Sequence, residues 1–68
     1  MTGLAIGERI RALRVKRGLT QDQLAAKARL SRIYIAKLEG GERMSPSFPA
    51  LVRIARAVGA KLRIELTE

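Results

Sequence analysis

Apolar residues return every three or four positions along most of this chain, and every two only at its end. The first spacing is that of a helix with one buried face, the second that of a half-buried strand. In IGERIRALRVKRG, Ile6, Ile10 and Leu13 share one stripe while Arg9, Arg11, Lys16 and Arg17 lie off it. Gly18 then supplies a helix stop, so a first helix is predicted here. TQDQLAAKA opens on Thr20 with Gln23 three residues on, a pairing in which each side chain takes the other's backbone amide. Leu24, Ala25 and Ala28 form the inward side of this second helix. SRIYIAKLEGG has Ser31 as its N-cap, Ile35 and Leu38 as its inward pair and Gly40 and Gly41 at its end. In a fourth helix, Ser47 caps FPALVRIARAVG, Pro49 is tolerated in the first turn, and Leu51, Ile54, Ala55 and Val58 face the core.

In the tail, KLRIELTE, Leu62, Ile64 and Leu66 alternate with Lys61, Arg63 and Glu65. A strand needs a neighbour for its backbone amides and carbonyls, and the rest of the chain offers no second strand. The expectation is therefore an all-α, compact four-helix domain over residues 1–60, followed by a short C-terminal β-strand over 61–68. That strand would pair with its copy in a second subunit, with Leu62, Ile64 and Leu66 as the dimerisation residues.

Only Arg29 and Leu30 separate Ala28, which ends one apolar stripe, from Ser31, which caps the next helix. Two helices joined so tightly must cross steeply, which is a helix-turn-helix. Ala25 is small where they approach, and Leu24, Leu30, Ile35 and Leu38 fix their angle. If Ile35 and Leu38 point inward, Arg32, Ile33 and Lys37 emerge on the other side of the third helix.

Composition says what such a face would meet. Fourteen Lys and Arg against six Asp and Glu give a net charge of +8 on 68 residues. That density suits an anionic partner, either nucleic acid or an acidic protein surface. A chain of this length buries only about 60% of its unfolded surface, so a partner subunit would help it. With no Cys and no His, disulfides and a conventional zinc site are excluded. The acids Glu8, Asp22, Glu39, Glu42, Glu65 and Glu68 are scattered, and none forms an acid/base pair. Gly40 and Gly41 end a helix rather than begin one, so they do not cradle a phosphate. No catalytic residue, cofactor or metal is expected. No apolar run reaches membrane-spanning length and MTGLAIGERI lacks a basic leader, so a cytoplasmic protein with no membrane partner is expected.

Through GLTQDQLAAKARLSRIYIAKLEGGERMSPSFPALVRIARAVG, together with IGERIRALRVKR, the chain resembles the lambda-repressor/Cro-like (Xre) family of DNA-binding domains; the likeness covers all but the last eight or so residues. The resemblance implies a lambda-repressor-like fold whose third helix enters the major groove of double-stranded DNA. Arg32 and Lys37 would then donate to guanine O6 and N7, and Ile33 would pack on a thymine methyl. Gln21 matches the family's phosphate-binding glutamine, at a helix end whose free amides add to the attraction. Arg43, with Ser45 and Ser47, makes a second phosphate clamp. Tyr34 either donates its hydroxyl to a phosphate or covers the contact between helices two and three. Arg14 and Glu39 correspond to a partly buried ion pair between helices one and three of some phage repressors.

The likeness has one departure. The family usually has Gly at the tight turn, where φ is positive, and this chain has Arg29. A left-handed Arg costs on the order of 1 kcal/mol. Two readings remain open: a strain partly offset by the smaller backbone freedom of a non-Gly residue, or an Arg placed to meet a phosphate. Two functions are implied. One is a sequence-specific regulator acting as a homodimer on a palindromic operator, most simply a repressor. The other is an antitoxin that neutralises a toxin protein and autoregulates its operon, because a helix-turn-helix followed by a short strand resembles the antitoxins paired with kinase-type toxins.

Overall fold

The computed structural model describes residues 3–42, 46–63 and 66. Among them are four helices: α1 Gly3–Lys16, α2 Gln21–Ala28, α3 Arg32–Glu39 and α4 Phe48–Ala57. Each predicted helix is present, with α1 starting three residues ahead of Ile6.

Local chemistry accounts for the boundaries. The Thr20 hydroxyl accepts from the Gln23 amide at 3.0 Å, and the Gln23 side chain accepts from the Thr20 amide at 2.8 Å. Ser31 accepts from the Tyr34 amide at 3.0 Å and Ser47 from the Ala50 amide at 3.2 Å. Each cap satisfies an amide that the helix itself leaves without a partner. At the α2–α3 turn Arg29 does adopt the left-handed conformation, with φ 57° and ψ 46°. Its neighbour holds the turn closed, the Leu30 amide donating to the Ala25 carbonyl at 2.9 Å.

Leu24, Ala25, Ala28, Ile35, Leu38, Ile54 and Val58 are buried together with Ile10. Ile6, Leu13 and Leu51 pack against this cluster while partly exposed. Ala55 is also only half-buried, and the apolar residue that is buried in the first turn of α4 is Ala50. α2 packs on both α3 and α4, and α1 packs on α3. That last contact is close: a Cβ on Gly7 would run into the backbone carbonyl of Leu38. Gly7 therefore lets α1 lie against the last turn of α3, where any larger residue would push it away. Arg17 fastens α1 to the far end of α4, its Nε donating to the Val58 carbonyl at 2.9 Å.

The tail differs from the expectation. Residues 61–63 have no regular secondary structure, Leu62 is 38% exposed and Leu66 is 99% exposed; Ile64 lies outside the described residues. Among the described residues there is no strand. The physical reason is the one that made a partner necessary: a lone strand leaves a whole row of backbone groups without hydrogen bonds, and a single chain supplies no edge. No helix among the described residues is long and apolar enough to cross a membrane.

Candidate nucleic-acid interface

The outward face of α3 is built by what its inward face is made to do. Ile35, Leu38 and Glu39 are buried, which fixes the rotation of the helix about its axis. Arg32, Ile33 and Lys37 are left exposed, Ile33 to 64%. Arg32 reaches the first turn of α2. The Arg32 Nε lies 3.6 Å from an Asp22 carboxylate oxygen, and both side chains are mostly in solvent.

Gln21, the first residue of α2, is partly exposed. Its Nε2 donates to Glu39 Oε1 at 3.3 Å. Glu39 in turn accepts from Arg14, whose Nε reaches Oε2 at 2.7 Å and whose Nη2 reaches Oε1 at 3.0 Å. Two parallel bonds between a planar guanidinium and a carboxylate form the strongest arrangement these groups can make. Arg14 Nη1 donates to the Leu19 carbonyl at 2.7 Å, just ahead of the α2 cap. The Glu39 hydrogen bond raises the Arg14 pKa above its ordinary value; burial opposes the shift and the carboxylate charge adds to it. The guanidinium thus stays charged throughout the accessible pH range.

Tyr34 lies between the core and the surface. Its ring is partly buried against the core, and its hydroxyl is buried with no hydrogen-bond partner among the described residues. Ser47 sits at the α4 N-cap, its oxygen occupied as an acceptor and its hydroxyl hydrogen left to donate. Arg43 and Ser45 lie outside the described residues. Arg29 is exposed at the turn.

Asp22 is the residue of this face that sequence reasoning missed. It stands ten positions from Arg32 on another helix, and no short-range periodicity connects them. Among the described residues, no group of acidic side chains is placed to hold a metal ion.

Residues 5–67 match the helix-turn-helix domain family. The chain is 46% identical over 59 residues to the immunity repressor protein of Bacillus phage phi105, a stretch that covers 87% of this chain and 40% of that protein. It is 38% identical over 63 residues to the HTH-type transcriptional regulator SlrR of Bacillus subtilis (strain 168), covering 93% and 39% respectively. The chain thus spans about two fifths of the length of the curated relatives it matches. Among solved structures, the restriction-modification controller protein C.AhdI from Aeromonas hydrophila superposes with a TM-score of 0.81 at 32% identity, over 87% of this chain and 88% of the other.

Proposed function

This chain belongs to the helix-turn-helix domain family, and from that premise we propose that it is a sequence-specific DNA-binding transcriptional regulator, acting as a homodimer on a palindromic operator and repressing by occupying a promoter. One observation carries the reading. Arg32, Ile33 and Lys37 stand in solvent on a helix whose opposite side is locked into the core. Arg32 and Lys37 serve as base-edge donors and Ile33 as the apolar contact for a thymine methyl. Gln21, Arg43, Ser45 and Ser47 serve the phosphates, and the net charge of +8 supplies the sequence-independent attraction. Relatives named as an immunity repressor, a transcriptional regulator and a controller protein support a regulator. They do not favour the antitoxin alternative.

Dimerisation falls to the tail, where Leu62, Ile64 and Leu66 pair about a two-fold axis. The partner strand supplies the edge that one chain lacks. Selection of bound sequences from a random DNA pool tests both parts. The expected product is a palindrome whose half-sites are centred about 34 Å apart or a multiple of that distance. Arg32→Ala and Lys37→Ala should each cost about 1–3 kcal/mol on that site and relax one base position per half-site. Affinity should fall about 10³–10⁵-fold between roughly 50 and 200 mM salt for a dimer with about 6–10 phosphate contacts. Selection of a lone half-site would overturn the dimer, and unchanged base preference in Arg32→Ala would overturn the recognition face.

A further inference from the structure

Glu39 has an unusual set of donors for a carboxylate inside a small domain. Its side chain is 3% exposed. It accepts twice from Arg14 on α1 and once from Gln21 at the start of α2. Through the bond from Arg14 to the Leu19 carbonyl, a single guanidinium and a single carboxylate tie together α1, the segment entering α2, and the end of α3.

We infer that Arg14 and Glu39 are positioning residues for DNA binding: they hold the Gln21 side chain in the conformation that meets a phosphate. This rests on the reading of Gln21 as a phosphate contact. An amide nitrogen carries two hydrogens. Glu39 takes one, and because the amide is planar the direction of the second is then fixed. A glutamine free in solvent would lose its rotamer freedom on binding, whereas one already held loses less. Arg14 has a separate part in this. A bare carboxylate beside a phosphate site would repel the phosphate, but the paired guanidinium cancels its charge, so Glu39 orients the amide without that penalty.

The test compares Gln21→Ala in two backgrounds: the unmodified chain, and a chain carrying Arg14→Met and Glu39→Leu. Replacing both ions with apolar residues of similar size preserves a fold that losing one alone would strain, and circular dichroism verifies this. In the unmodified chain Gln21→Ala should weaken operator binding about tenfold, as for a lost hydrogen bond to a charged group. In the altered background the same change should cost less than about twofold, while Arg32→Ala keeps its full effect. An equal loss in both backgrounds overturns the positioning role and leaves the phosphate contact standing. No loss in the unmodified chain removes both. If the effects of Gln21→Ala and Arg32→Ala shrink together, the pair is only structural. A second readout needs no substitution. In nitrogen-15 relaxation of the free protein the Gln21 Nε2 order parameter should approach the rigid value of about 0.85, and a value below about 0.6 would overturn the inference.

Discussion

Arg14 with Glu39, between α1 and α3, and Arg32 with Asp22, between α3 and α2, are arginine–carboxylate pairs that share their chemistry and differ in everything else. Arg14 and Glu39 meet at 2.7 Å with side chains 12% and 3% exposed, whereas Arg32 and Asp22 meet at 3.6 Å with side chains 60% and 76% exposed. The inner pair is bidentate and shares its carboxylate with Gln21; for the outer pair the structure gives one long contact. Charges withdrawn from water must be matched, so the inner partners depend on each other and hold three helices in register. Charges left in water lose little when they part. The outer pair can therefore part at little cost, while the inner pair holds the helices that carry it.

The comparison breaks most visibly when one carboxylate is removed from each pair. Glu39→Leu strands the Arg14 charge among buried groups and should destabilise the fold by about 3–5 kcal/mol, while Asp22→Ala should change it by less than about 1 kcal/mol. Denaturant unfolding of the two variants measures both. Equal losses would mean that burial does not separate the pairs. A smaller loss on replacing Arg14 and Glu39 together than on replacing Glu39 alone would show that the stranded charge, rather than lost packing, carries the cost.

A gentler break leaves both ions in place and moves the backbone between them. Gly7 seats α1 against the Leu38 carbonyl, one residue before Glu39. Gly7→Ala must push the helices apart there, at about 1–3 kcal/mol for an overpacked contact. Thermal unfolding gives that figure. In a cycle with Glu39→Leu the two effects should fall short of additivity, because each disturbs the same junction. Full additivity would show that the α1–α3 approach does not govern the ion pair.

The inner pair and the outer pair were legible to different degrees, for reasons that follow from range. The caps at Thr20, Ser31 and Ser47 depend on residues three apart, so helix starts could be read directly from the chain. The outward face of α3 followed from the same periodicity, since placing Ile35 and Leu38 inside leaves Arg32, Ile33 and Lys37 outside. The partnership of Arg14 and Glu39 spans 25 positions, and only likeness to a known family suggested it. Gly7 gave no signal, because its meaning lies in the backbone of another helix. Arg17 lies off the apolar stripe of α1 with nothing in the sequence to name its partner, yet its Nε caps the end of α4 at the Val58 carbonyl. The tail depends on more than its own sequence. Alternation points to a strand only where a partner edge is present, and in the single chain residues 61–63 have no regular secondary structure.

The outer pair offers the smallest and most pointed test, because here a substitution should improve function without touching the fold. Asp22 sits in the first turn of α2, where its charge favours the helix end by a few tenths of a kcal/mol. The same charge faces the side on which phosphates would lie and draws Arg32 toward itself. Asp22→Asn removes the attraction on Arg32 and the repulsion of DNA, and keeps a side chain of the same shape. Operator affinity should rise by up to about fivefold, the scale of an exposed ion pair, and stability should move by less than about 0.5 kcal/mol. The gain should be largest at low salt and fade as the Debye length shortens below about 10 Å. Combining Asp22→Asn with Arg32→Ala separates the two causes. If the gain disappears, Asp22 acted by holding Arg32; if it persists, Asp22 acted on the DNA directly. Weaker binding by Asp22→Asn alone would show that the outer pair pre-orders Arg32 for its base, making it a second positioning contact in place of an exchangeable one.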